Sequence, residues 1–161
     1  MNESAETPSI EQLKKAVQKN PQDAQAYLKL GNAWLNEYNG TEALNAFRQV
    51  VRLQQDCAEG HFGLGKVFDA LNRYDEMLDA FKEATWLKPD WSEAHYNLGL
   101  GYMVVGQYED AIEPFKQAIK VQPDYAEAHR VLSLVYNLTG HSEESEFHKQ
   151  EAARLNPDFV E

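Results

Sequence analysis

A proline recurs every 34 residues in this chain, and no other feature limits its fold as much. Pro89, Pro123 and Pro157 each precede an Asp and an aromatic: Asp90-Trp91, Asp124-Tyr125 and Asp158-Phe159. One step back falls on Gln55, a miss, and the next falls on Pro21. Other residues keep the same step. Leu30-Gly31, Leu64-Gly65 and Leu98-Gly99 align, with Leu132-Ser133 in the fourth place. Trp34, Phe68, Tyr102 and Tyr136 align behind them. Phe47, Phe81 and Phe115 form a further set, as do Ala84, Ala118 and Ala152. A fixed period of this size marks one supersecondary unit copied along a line, each copy burying its apolar face against the next.

Each unit carries two amphipathic helical patterns. Residues 92–105 and 109–121 place apolar side chains at three- and four-residue steps. Gly106 lies between them and Gly140 lies at the same place in the fourth unit, both natural helix stops. Pro123 ends the second helix because its ring and missing N–H cannot extend the ladder. No segment alternates polar and apolar residues for long, so no sheet is expected. Pro114 falls inside a predicted second helix, where an interior proline costs roughly 3 kcal/mol. A late helix start or a kink is expected there.

These residues carry a signature. The chain resembles the tetratricopeptide repeat family, whose motif runs Trp-x2-Leu-Gly-x2-Tyr, then Ala-x3-Phe, then Pro. The third unit matches best, with His95, Leu98, Gly99, Tyr102, Ala111, Phe115, Ala118 and Pro123. The first has Tyr27, Leu30, Gly31, Trp34, Ala43 and Phe47. The second has His61, Leu64, Gly65, Phe68, Phe81 and Pro89, with Met77 in the small slot. The fourth keeps His129, Leu132 and Tyr136, but Ser145 and Lys149 replace the small residue and the Phe.

The resemblance implies an all-α fold, a right-handed superhelix (α-solenoid) of antiparallel helix pairs. Four tetratricopeptide repeats are expected at 24–57, 58–91, 92–125 and 126–157. An extra N-terminal packing helix is expected at 9–20, after a flexible tail at 1–8, all in one domain. First helices would line a concave groove and second helices a convex back. Ile10, Leu13 and Ala16 would shield the front end. The last helix, Glu143–Leu155, is mostly polar and would cap the other end by facing water.

Composition narrows the function. The net charge is −11, which repels phosphate backbones and anionic lipid heads, so neither nucleic acid nor a membrane surface is expected as a partner. No run of about 18 apolar residues spans a membrane. The first residues, Met1 to Ile10, lack the basic flank and apolar stretch of a signal peptide, and Cys57 is the only cysteine. A cytoplasmic location is expected.

Several residues imitate active-site motifs. His61, His95 and His129 form a ladder, but equivalent sites on stacked helices lie about 8–10 Å apart, while zinc needs nitrogens near 2 Å from one centre. They are read as packing residues with a polar edge. His141, Glu144 and His148 could share one face of the last helix as a weak metal or pH-sensing site, or as a solvated surface. Gly60 to Lys66 has phosphate-loop spacing but lies in a helix and lacks the Ser or Thr, since Val67 stands there. The sequons at Asn39 and Asn137 are read as unused. No nucleophile, base or carboxylate pair gathers for catalysis, so no enzyme and no cofactor or metal is expected.

Helical phase points to a groove for a protein partner. It offers Leu28, Lys29, Asn32 and Leu35 from the first unit, and Phe62, Lys66 and Asp69 from the second. The third offers Tyr96, Asn97, Leu100 and Met103, and the fourth Arg130, Leu134 and Leu138. Phe62, Tyr96 and Arg130 are of types enriched at binding hot spots. Some family members clamp the carboxylate tail of chaperones with basic residues and Asn. Here Asn32 and Asn97 remain, but Leu28, Glu93 and Glu127 stand where basic residues would, so no such clamp is expected. Glu59, Glu93 and Glu127 suit helix N-termini and would make the rim acidic. The expected function is a scaffold or adaptor that binds an apolar or mildly basic peptide or helix of another protein. The alternative is a building block that forms a homo-oligomer through its ends.

Overall fold

The computed structural model describes residues 8–159. The tail expected at 1–8 lies outside these except for Pro8. Among the described residues the chain forms nine α-helices and no strand. They are α1 (Ile10–Lys19), α2 (Ala24–Asn36), α3 (Gly40–Leu53), α4 (Ala58–Ala70), α5 (Tyr74–Leu87), α6 (Ser92–Val104), α7 (Tyr108–Val121), α8 (Ala126–Leu138) and α9 (Ser142–Leu155). A 3-10 turn, Pro157–Phe159, follows.

The ends of the helices repeat as the sequence does. Every first helix closes through a residue in the left-handed region: Tyr38 (φ 55°), Asn72 (φ 56°), Gly106 (φ 77°) and Gly140 (φ 82°). The next N–H then reaches back five residues, Asn39 to Trp34, Arg73 to Phe68, Gln107 to Tyr102 and His141 to Tyr136, at 2.8–2.9 Å. This is the Schellman bond, which satisfies a carbonyl left over at the helix end. Only two of the four positions are glycine; Asn72 tolerates this conformation, whereas Tyr38 adopts it against its own preference. The return from second to first helix also repeats. Cys57, Trp91 and Tyr125 each donate an N–H to the carbonyl three residues earlier. Gln55 therefore sits in the same turn as Pro89 and Pro123, and its break in the proline ladder leaves the turn unchanged.

Units stack because rings of second helices fit against glycines of first helices. Phe47 and Phe115 are fully buried and Phe81 is 3% exposed. A Cβ on Gly31 would lie 2.8 Å from the Phe47 ring, and one on Gly63 of the next unit only 2.3 Å away. The ring is thus gripped by its own unit and by the following one. Within each hairpin the two helices pack along their length, and successive units meet through α3 with α4, α5 with α6 and α7 with α8. First helices α2 and α4 also touch directly. Close approach of first helices puts them on the inner side of a right-handed superhelix.

Two details differ from the sequence reading. Helix α1 buries Leu13 and Val17 while Ala16 points to solvent, because Val17 completes an i, i+4 stripe with Leu13. Helix α7 does not start late. It begins at Tyr108, in register with Tyr74 of α5, and runs through Pro114. Pro114 is buried in the slot held by Ala46 and Ala80 in the earlier units, where its compact ring substitutes for alanine.

Candidate functional site

The inner face is built from the first helices α2, α4, α6 and α8. Its residues follow a common phase, so each position can be compared down the four units. In the first unit Asn32 and Lys29 are exposed, whereas Leu28 and Leu35 are half-buried against the core. In the second, Lys66 and Asp69 are exposed, and the Lys66 ammonium lies 5.8 Å from the Phe62 ring. In the third, Leu100 and Met103 are half-buried against the core, and Asn97 turns its amide back to the Glu93 carbonyl at 2.8 Å. In the fourth, Leu134 is 47% and Leu138 52% exposed.

The three residues expected to act as hot spots have another employment. Phe62 is only 7% exposed, with its ring 4.5 Å from Trp91 and 5.6 Å from Phe81. Tyr96 is half-buried, 5.0 Å from Tyr125 and 5.6 Å from Phe115. The exposed Arg130 guanidinium lies 5.3 Å from the Phe159 ring. Each pair joins a first-helix residue to the aromatic of the next Pro-Asp-aromatic turn. The ladder fastens unit to unit, and Phe62 is a core residue, not a surface offered to a partner. The signal was present, since the partner aromatics keep the same 34-residue step. Burial, and then the neighbouring Tyr96, push the Tyr125 phenol up to about 12.

One exposed apolar residue in the phase of the inner face escaped the sequence reading. Val104 is 53% exposed at the end of α6, one turn beyond Leu100. It aligns with Leu138, which stands one turn beyond Leu134. Leu100, Val104, Leu134 and Leu138 therefore form two matched i, i+4 pairs on adjacent first helices. An open cleft of about 650 Å³ continues this face at the end of the solenoid. Arg130, Leu134 and Asn137 of α8 line it, facing Ser145 and Lys149 of α9. It opens where Lys149 stands in place of the Phe of the other units. Ser145 donates to the Ser133 carbonyl at 2.9 Å and so holds the helices together without that ring.

The acidic rim is partly neutralised. Lys88 binds Glu59 at 3.1 Å. The Glu59 carboxyl is held below its ordinary range, first by the backbone N–H at its helix start and then by Lys88. Glu93 and Glu127 remain exposed. Burial pushes the Cys57 thiol up, away from the reactive thiolate. The histidine ladder proves to be a set of local ties: His61 and His95 each bond through Nε2 to a backbone oxygen six residues earlier, Gln55 and Pro89, both at 2.9 Å. His141, Glu144 and His148 do not gather around one point, although His141 and His148 both lie against the Tyr136 ring. His141 caps α9 and meets the Thr139 hydroxyl at 2.9 Å, Glu144 is exposed, and His148 turns inward to His129. Among the described residues, no three His, Cys, Asp or Glu side chains are grouped to hold a metal ion, and no helix is long and apolar enough to cross a membrane.

A stack of helical hairpins with a first-helix inner face defines an α-solenoid repeat protein. The tetratricopeptide repeat description matches residues 3–84, half of the chain, and a second match of the same description covers 92–125. The chain belongs to the tetratricopeptide repeat family. Among solved structures it is similar to a crystal structure of MamA, at 25% identity and a TM-score of 0.86 over 92% of this chain and 87% of that one. MamA from Desulfovibrio magneticus RS-1, residues 41 to the end, superposes with a TM-score of 0.83 at 21% identity, covering 92% of this chain and 84% of that one. A thermophilic TPR protein of Thermus thermophilus, TTC0263, superposes with a TM-score of 0.73 at 23% identity, covering 93% and 84%. No curated protein matches the sequence.

Proposed function

We propose that this protein is a scaffold that holds an apolar segment of another protein on its inner face, and that the third and fourth units supply most of the contact. The observation that carries this reading is the pair of exposed i, i+4 couples. Val104, Leu134 and Leu138 are each about half exposed at matched positions of successive first helices, and exposed apolar residues repeated in this way mark an interaction site. Leu100 and Met103 form its floor. Arg130, Asn97, Asn32 and Lys66 supply polar contacts around it, and Leu28 and Leu35 extend the apolar floor toward the first unit. Glu93 and Glu127 on the rim favour a segment with Lys or Arg beside its apolar residues. Phe62 and Tyr96 support this face from below.

Selection of a displayed peptide library on the whole protein, followed by fluorescence polarisation, tests the proposal. Selected peptides should combine apolar and basic residues. Leu134→Glu with Leu138→Glu should weaken them by about tenfold or more, as loss of a buried apolar contact requires, while the unfolding midpoint stays unchanged. Undiminished binding by that double variant refutes the site. Self-association through the last helix is the second reading, favoured by Phe147, which is 58% exposed on α9. Sedimentation at rising concentration separates the two, because a monomer at every concentration removes the second.

A further inference from the structure

The fourth unit contains a contact that the other three lack. Residue 148 aligns with Ala46, Ala80 and Pro114, all buried where a second helix packs inward. Residue 129 aligns with Tyr27, His61 and His95 on the first helices. The repeat therefore sets an aromatic ring against a small side chain three times, and sets imidazole against imidazole the fourth time. His129 is 5% exposed, and its Nδ1 lies 2.9 Å from Nδ1 of His148. The ring centroids are 5.0 Å apart.

Proton count decides what this contact can tolerate. His129 keeps the Pro123 carbonyl beside it, at the step where His61 and His95 bond the equivalent carbonyls through Nε2. A nitrogen–nitrogen contact of 2.9 Å needs one Nδ1–H as donor and one Nδ1 lone pair as acceptor. One imidazole therefore donates its Nδ1–H and the other accepts it. Both rings are neutral in this arrangement. A further proton on the accepting Nδ1 sets N–H against N–H, one on the donor ring's Nε2 keeps the hydrogen bond, and either places a positive charge between the helices; a second proton leaves no acceptor.

The surroundings add more positive charge beside the pair and only one carboxylate facing it. Tyr136 of α8 stacks on His148 at 5.6 Å and Phe147 of α9 meets it edge-on at 5.1 Å. His141, at the start of α9, lies 5.7 Å from the Tyr136 ring. Lys116 of α7 and Arg154 of α9 add positive charge beside the pair. Glu151 of α9 is the carboxylate that faces both rings, and Arg154 already binds it at 2.8 Å.

We propose that the His129–His148 pair is an acid-sensitive latch, which holds α9 on α8 while both rings are neutral and releases it as the pair takes up protons. The cleft between α8 and α9 carries Arg130, Leu134 and Asn137, so release also dissolves the last part of the inner face. The latch itself does not depend on what that face binds. Burial lowers both imidazoles from their ordinary value, and burial followed by His129 brings His148 to about 4.

Hydrogen exchange of the whole chain, read by mass spectrometry from about pH 7.5 to 4.5 and corrected for intrinsic rates, tests the latch. Protection of α9 should fall on the order of 50-fold relative to α4 and α5, because each unit of displaced pKa is a tenfold change in the closing equilibrium. His148→Ala restores the His-against-Ala pairing of the second unit, and there the relative fall should shrink by roughly tenfold. His148→Gln keeps a donor toward His129 without a second titrating ring, and should behave as His148→Ala does even if the alanine variant loosens α9 at neutral pH. A parallel response of α9 and α4–α5 in the natural protein overturns the proposal. So does an undiminished fall in His148→Gln.

Discussion

Replacing Gly63 by alanine should destabilise the protein even though alanine is the better helix former. Helix propensity alone favours the change by about 1 kcal/mol. Packing opposes it. The new Cβ would stand 2.3 Å from one Phe47 ring carbon and 2.5 Å from two others. Carbon atoms rest at about 3.5–4.0 Å, so the ring or the helix must withdraw by more than about 1 Å. Phe47 has no exposed surface, and Gly31 of its own unit also packs on the ring so closely that a Cβ there would stand 2.8 Å from it. The withdrawal therefore falls on α4, which must part from α3. Overpacking of this kind costs about 1–3 kcal/mol, and the opened interface places this site at the upper end. The net loss should be about 1–2 kcal/mol. Urea unfolding followed by far-ultraviolet circular dichroism should show a midpoint lower by roughly 0.5–1 M at unchanged slope. Phe47→Leu in the Gly63→Ala background should cost less than the sum of the two changes, with a coupling of about 1 kcal/mol or more. Gly40→Ala is the control. Its Cβ meets only Leu71 Cδ2 at 3.4 Å, so it should be neutral or stabilising. A Gly63→Ala protein as stable as the natural one, or strict additivity with Phe47→Leu, would refute the close-approach argument.

Three further outcomes follow from particular residues. Tyr38→Gly should raise stability by about 0.5–1 kcal/mol in the same urea assay, since Tyr38 sits at φ 55° with its side chain 97% exposed and has strain but little packing to lose. Pro114→Ala should stabilise by roughly 1–2 kcal/mol, less than the full proline penalty because the buried ring makes contacts that alanine lacks; thermal unfolding checks it. Stability should rise with pH through the acid range. His129 and His148 bind protons less readily when folded, so below their unfolded value of about 6.5 the unfolded state takes up protons first. Their contribution is complete above that value and is lost as pH falls toward the folded value of about 4 for His148. The loss should be about 2 kcal/mol, discounted from the full linkage because His148 is partly solvated, and His148→Ala should flatten it in urea midpoints measured at several pH values.

The repeat, the helical hairpins and the stacking slots were legible in the sequence because they depend on local periodicity. A period of 34 and an amphipathic phase state which side of each helix is buried without knowing what covers it. Helix ends were legible to within a residue or two: 92–105 and 109–121 became Ser92–Val104 and Tyr108–Val121. Phase could not reveal how an inner-face residue is shared between packing and solvent. Phe62 has the phase of a groove residue, yet Trp91 of the following turn closes over it. Val104 has the same phase as Leu138, but its freedom depends on no element crossing the end of α6. His148 reads as part of a polar helix, and only its register with Ala46, Ala80 and Pro114 hints that it points inward.

The sequence alone therefore determined the proline-marked period and the solenoid it forces, since every unit repeats the same local chemistry. Tertiary structure alone decided which repeated residues remain free. That depends on contacts between units, such as Phe62 with Trp91, 29 positions apart. The same geometry set His129 against His148, 19 positions on, where two rings must share the hydrogen bond of a single proton.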